Sequence, residues 1–126
     1  MELICSETTG PLIDLFFSVY RKLGYGFLEE VYSNAMMISG KEAGLEIKQA
    51  QPVRVYFEGE EVGYYKPDLI VNESVIVELK ACRMLVPKHE AQLLNYLKAT
   101  QYEVGILFNF GPKPQYKRMV FDNKRK

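Results

Sequence analysis

Asp68, Glu78 and Lys80 are the residues of this sequence best placed to do chemistry together. They bracket the stretch Pro67-Asp68-Leu69-Ile70-Val71-Asn72-Glu73-Ser74-Val75-Ile76-Val77-Glu78-Leu79-Lys80. Two β-branched apolar runs flank a polar triplet there, the signature of an antiparallel hairpin. With residues 72–74 as the loop, Val71 pairs with Val75, and Asp68 falls opposite Glu78. Alternation then puts Asp68, Ile70, Ile76, Glu78 and Lys80 on one face and Leu69, Val71, Val75, Val77 and Leu79 on a wholly apolar one. Two opposed carboxylates repel unless something positive lies between them. Lys80 supplies one charge, and a hard dication such as magnesium, which takes oxygen ligands, would supply the rest. The plainer alternative is a solvated strand face with an ordinary Glu–Lys ion pair. Glu-x-Lys alone is a weak signal, since Glu46-Ile47-Lys48 repeats it outside any predicted strand. The aligned Asp68 and the apolar strands distinguish the first copy.

The elements that must hold these groups follow from periodicity. Residues 9–23 predict a helix, with Leu12, Leu15, Phe16, Val19 and Leu23 at helical spacing and Pro11 in its first turn. Gly24-Tyr25-Gly26 breaks it. A second helix is expected from Phe27 to Ala43, with Leu28, Val31, Tyr32, Ala35 and Ser39 as its buried stripe and Gly44 stopping it. Glu29 borders that stripe, where the plain reading is a first-turn glutamate favoured by the helix dipole. Residues 51–58 alternate like a strand, with Val53, Val55 and Phe57 on one face. A turn at 58–61 leads into a strand over 62–71, so three antiparallel strands are expected in series. Pro87 opens a third helix reaching Thr100, with Leu93, Leu94 and Leu97 on its core side. His89, Gln92 and Tyr96 form a second stripe with polar tips. Val104 to Phe110 predicts a buried strand beside the Glu78 strand, reached by a right-handed crossover, and Tyr116 to Phe121 a weaker edge strand. The order ααβββαββ predicts an α/β sandwich, a mixed sheet with helices packed on it, in a single domain over residues 1–126.

Composition excludes other classes. Hydrophobic residues make up 48% and charged residues 25% of the 126, the balance of a globular protein. The formal net charge is +0, so no global field draws the chain to nucleic acid or an anionic membrane. Lys113, Lys117, Arg118, Lys124, Arg125 and Lys126 crowd the chain's end, more often a solubilising feature than a binding arm. Cys5, Cys82 and the lone His89 exclude a disulfide framework or a Cys/His zinc cluster. Histidine does not suit magnesium, so His89 reads as a first-turn surface or interface residue, and Cys82 as a small buried one. No signal peptide or membrane span is expected, and a reducing, cytoplasmic setting is the default.

These residues together resemble the PD-(D/E)XK nuclease superfamily, whose restriction-endonuclease-like core runs helix, three strands, helix, strand. The match reads Glu29 on the leading helix, Pro67-Asp68 on the second strand and Glu78-Leu79-Lys80 on the third. Gln92-Leu93-Leu94-Asn95-Tyr96 is similar to the Gln-x-x-x-Tyr motif of RecB-like exonucleases. Gly26-Phe27-Leu28-Glu29-Glu30-Val31-Tyr32 fits the GxxExxY family within the superfamily, as do residues 89–97 and Asn109-Phe110-Gly111. Tyr25 stands where a proline is expected, which touches the turn and not the chemistry.

The resemblance implies a metal-dependent phosphodiesterase acting on DNA, less readily on RNA. Asp68 and Glu78 would bind Mg2+ or Mn2+, helped by the backbone carbonyl of Leu79, with Glu29 reaching the ion through water or holding a second one. Lys80 would position the attacking water first and act as a base second. Gln92, Tyr96 and Tyr32 would support the site or the nucleic acid strand. A domain of this size covers little duplex alone, so a homodimer or a larger complex is a reasonable expectation. The competing reading is a catalytically inactive module of the same fold that binds nucleic acid or a protein.

Overall fold

The structure is a computed structural model that describes residues 5–126. Helices α1 (Ser6–Leu23) and α2 (Glu29–Glu42) come first. Five strands follow, β1 (Ile47–Gln49), β2 (Val53–Phe57), β3 (Glu60–Tyr65), β4 (Leu69–Val71) and β5 (Val75–Lys80). Helix α3 (Pro87–Ala99), strands β6 (Val104–Phe110) and β7 (Pro114–Val120) and a short 3-10 turn (Asn123–Arg125) complete the chain. The main sheet has the order β1-β4-β5-β6-β7, with β5 and β6 parallel through α3 and every other pair antiparallel. Strands β2 and β3 form a separate two-stranded ribbon.

Both faces of the sheet are buried. Leu12, Phe16 and Val19 of α1 and Tyr32 and Met36 of α2 pack on Leu69, Val71, Val77 and Leu79. On the opposite face Ile70, Ile76 and Leu107 pack under Leu93 and Leu97 of α3 and Tyr65 of the ribbon. The hairpin is as the sequence predicts. Val71 pairs with Val75 and Leu69 with Val77, which extends to Asp68 beside Glu78. Asn72 and Glu73 take left-handed backbone angles at its tip, and Ser74 N–H donates to Val71 O at 3.1 Å.

Four expectations need correction. The strand expected over 62–71 is two strands, because Pro67 removes a backbone donor and forces a break that sends β3 out of the main sheet. The element order is therefore ααβββββαββ, although the mixed α/β sandwich stands. Residues 47–49, expected to lie outside any strand, form β1 at the sheet edge, with Ile47 opposite Val71. Lys48 there makes a surface ion pair with Glu73 at 3.4 Å. The buried stripe of α2 is Tyr32, Met36 and Gly40, while Leu28 is 78% exposed. Gly40 faces inward because a Cβ there would run into Ile47. Phe57 does not share the half-buried face of Val53 and Val55, since a register shift after Val55 turns the end of β2 and leaves it exposed.

Candidate active site

The carboxylates of Asp68 and Glu78 lie side by side at the β4–β5 hairpin, Glu78 opening toward α3 and Asp68 toward the start of α2. Asp68 stands just before β4, where its Oδ2 accepts a 2.7 Å hydrogen bond from Leu79 N–H. That bond fixes the acid against β5. Burial raises the Asp68 carboxyl above its ordinary range, and the Leu79 N–H and the Lys80 charge oppose the rise. Glu78 lies deeper. Burial first, and the Asp68 charge second, push it up to about 7. Both acids are thus held where their negative charges are poorly solvated and repel each other.

Glu78 has a partner that sequence reasoning missed. Tyr65, the last residue of β3, donates its hydroxyl to Glu78 Oε1 and stacks on Tyr96 of α3 with centroids 3.6 Å apart. Burial and the Glu78 carboxylate raise the Tyr65 hydroxyl far above its ordinary value, so it stays a donor. The ribbon is therefore a wall of the site. Glu78, Lys80, Tyr65, Lys66, His89, Gln92 and Tyr96 line one pocket of about 250 Å³. The helical stripe His89, Gln92 and Tyr96 lines the same pocket as Glu78, whereas Asp68 opens into the neighbouring one beside α2. His89 also closes the N-terminus of α3, where its N–H donates to Val86 O at 2.9 Å and its Nδ1 accepts from Val86 N–H at 3.3 Å. Burial, then Lys80 and Lys88, lower its pKa, so the ring stays neutral at pH 7.

Glu29 stands at the first position of α2, on an adjacent pocket that it shares with Asp68, Ser33, Gln49 and Lys66. Gln49 Nε2 donates to Ser33 Oγ at 3.0 Å and Asn34 Oδ1 at 2.9 Å, which ties α2, the helix that carries Glu29, to β1. Lys66 lines both pockets, Glu29 lying in the one and Glu78 in the other. Among the described residues, no three of His, Cys, Asp and Glu gather closely enough to form a metal-holding group. Tyr32 is fully buried, its ring stacked 4.0 Å from Phe110 and its hydroxyl donating to Gly24 O at 2.7 Å. It supports the α1–α2 loop and cannot touch a nucleic acid strand. Cys82 is half-buried and donates toward Met84 O.

A tyrosine at position 65 carries no motif. In an unbroken strand over 62–71 it would share the apolar face with Leu69 and Val71. Pro67 was the available signal, because a proline inside an apolar run argues for a break and a reset of alternation.

The donors fit a divalent cation in part. Asp68 and Glu78 offer hard oxygens whose mutual repulsion a dication would relieve, and magnesium commonly takes one or two carboxylates with water and phosphate oxygens completing its shell. Glu29 would reach such an ion through water.

A mixed sheet with a parallel β5–β6 pair, helices on both faces and an acid pair at one hairpin defines a restriction-endonuclease-like α/β fold. The PD-(D/E)XK nuclease superfamily model matches residues 6–119, and the chain belongs to that superfamily. Solved structures agree on the fold. The protein SSO0001 aligns with a TM-score of 0.57 at 20% identity, over 75% of this chain and 52% of its own, so this chain spans about half its length. An alkaline exonuclease from Laribacter hongkongensis, LHK-Exo, aligns with a TM-score of 0.54 at 10% identity, over 98% of this chain and 74% of its own. No curated protein matches the chain. Among the described residues, no helix is long and apolar enough to cross a membrane.

Proposed function

We propose that the chain is a divalent-metal-dependent nuclease that hydrolyses phosphodiester bonds of DNA through Asp68, Glu78, Lys80 and Glu29. The single observation carrying this reading is the half-buried Asp68–Glu78 pair beside Lys80, two carboxylates whose burial raises both of them, a costly arrangement for a chain that needs only stability. Mg2+ or Mn2+, held by the two carboxylates and the Leu79 carbonyl, would neutralise phosphate charge and supply an activated water. The residues do the rest. Asp68 is oriented by the Leu79 amide, and Glu78 by Tyr65. Lys80, beside both acids, holds water by its ammonium. Gln92 and Tyr96 offer polar tips to the strand from α3. Glu29 completes the acidic rim from α2.

The chain also fits the GxxExxY group within the superfamily. Its three named positions have separable roles here. Gly26 takes a φ of 112°, which suits glycine, and Tyr32 ties the loop down from inside the core. Between them, Glu29 is delivered to the rim. The two free cysteines accord with a reducing, cytoplasmic setting.

The test pairs binding with cleavage. Isothermal titration with Mn2+ should show a site in the wild type that Glu78→Gln removes. Single-stranded, duplex and branched DNA should be cut in Mg2+ or Mn2+. Glu78→Gln should lose more than the about 10–100-fold that removing a supporting partner of a metal site costs. No heat of Mn2+ binding at millimolar metal, with cleavage absent from both proteins on all three substrates, would overturn the nuclease reading in favour of the inactive module.

A further inference from the structure

A cleft of about 760 Å³ lies beyond the two acidic pockets. The α1–α2 loop (Tyr25 to Leu28), the stretch after β5 (Ala81 to Met84) and the β6–β7 turn form its walls. It begins one residue from the site on two sides, since Leu28 precedes Glu29 and Ala81 follows Lys80. Its described lining includes the cations Arg83 and Lys113 and no carboxylate. In a chain with 16 basic and 16 acidic residues, that local imbalance favours an anionic occupant.

The cleft is also aromatic and pre-formed. Tyr25 is 62% exposed and Phe27 46% exposed, on a loop with a tight fastening. Tyr32 hydroxyl donates to Gly24 O and accepts from Phe27 N–H at 3.3 Å. The opposite wall is fixed by fully buried Asn109, whose Oδ1 accepts from Cys82 N–H at 3.0 Å and whose Nδ2 donates to Cys82 O at 2.9 Å. The third wall is held by Tyr20, whose hydroxyl donates to Gly111 O at 2.6 Å. Gly111 is obligatory there because a Cβ would lie 2.2 Å from Cys82 O. Three polar side chains thus hold the walls from behind, and Phe27, edge-on to the buried Tyr32 ring at 6.0 Å, keeps an exposed face beside Tyr25.

We propose that this cleft binds a single-stranded DNA segment running on from the acidic site, with bases stacked on Tyr25 and Phe27 and phosphates paired with Arg83 and Lys113. A cationic groove with exposed aromatic faces suits unpaired bases, because bases in a duplex already stack on one another. The inference deepens the nuclease reading by naming the form of its substrate, and it rests on that reading for the site the strand runs from. Its test needs no cleavage.

Fluorescence anisotropy in EDTA compares a labelled single strand of about twelve nucleotides with a blunt duplex of the same sequence. The single strand should bind the tighter of the two. Tyr25→Ala, an exposed change that leaves the melting temperature in place, should weaken the single strand about tenfold and the duplex far less. Arg83→Gln with Lys113→Gln should lower the slope of log affinity against log salt by about 0.7 per cation removed. Duplex binding as tight as single-strand binding, or a Tyr25→Ala protein that binds the single strand within about twofold of wild type, would overturn the cleft. The two readings fail separately. Tyr25-dependent binding without cleavage by the wild type sinks the nuclease and keeps the cleft. Cleavage that Glu78→Gln abolishes, with binding indifferent to Tyr25, sinks the cleft and keeps the nuclease.

Discussion

The two faces of the central sheet are built from different materials. Under α1 and α2 the core is apolar and aromatic. Phe16 stacks on Phe108 with centroids 4.5 Å apart and meets Phe110 edge-on at 4.9 Å, while Tyr32 stacks on Phe110. Under α3 the apolar cluster is smaller and gives way to Glu78, Tyr65, Tyr96 and Lys80 at the end of β5. One strand serves both. Leu79 is buried in the first cluster while Glu78 and Lys80, its neighbours, face the other side. The difference teaches that the helical face can hold the sheet while the α3 face carries charge that opposes folding.

The largest expected effect breaks the helical face. Phe16 is fully buried at the centre of the ring cluster. Phe16→Ala should lose about 3–5 kcal/mol of stability in urea or thermal unfolding, the usual cost of deleting a buried phenylalanine and leaving a cavity. Phe16→Leu, closer in volume, should cost far less. A loss below about 1 kcal/mol for the alanine variant would show that this face is not the stabilising one.

The next effect sharpens the contrast from the charged side. Glu78 has a folded pKa of about 7 against an ordinary 4.5. Between those values the folded protein binds more protons than the unfolded chain, so stability is greatest below pH 4.5 as far as this group is concerned and falls as pH rises through 7. The slope, about 1.4 kcal/mol per pH unit, amounts to at most about 3.5 kcal/mol over the interval. Asp68, also raised, adds to the same direction. Urea unfolding at pH 5 and pH 8 should therefore show a wild type that weakens and a Glu78→Gln variant that weakens much less. Parallel behaviour of the two proteins would mean that Glu78 does not carry the strain.

How much of this was legible in the sequence depended on whether a feature was local. The β4–β5 hairpin could be read because its two apolar runs and its turn lie within a dozen residues, and the loop length alone set Asp68 beside Glu78. The α3 stripe of His89, Gln92 and Tyr96 followed from helical spacing. Strand β1 could not be read, since three residues carry no period and Ile47–Gln49 is extended only because β4 offers it an edge. The stripe of α2 was misjudged for a related reason. Val31 and Ile38 look apolar but face outward, and Gly40 lies inside because Ile47 presses against it. Tyr65 was hidden by the reset at Pro67, a backbone event with a tertiary result.

Tyr65→Phe gives the smallest effect and the narrowest test of the comparison. Phenylalanine keeps the ring that stacks on Tyr96 and deletes only the hydroxyl that donates to Glu78. At pH 8 Glu78 is ionised, and losing a hydrogen bond to a half-buried charged group should cost about 1.5–3 kcal/mol. At pH 5 the folded protein holds Glu78 protonated, and the cost should shrink toward the 0.5–1.5 kcal/mol of about an ordinary neutral bond. The Tyr65 hydroxyl lowers the Glu78 pKa, so its removal should move the Glu78 titration further up, which carboxyl-selective NMR would read directly. A loss of stability equal at both pH values, with the Glu78 titration unmoved, would place the value of Tyr65 in its ring. The ribbon would then belong to the apolar core, and the division between the two faces would end at β3.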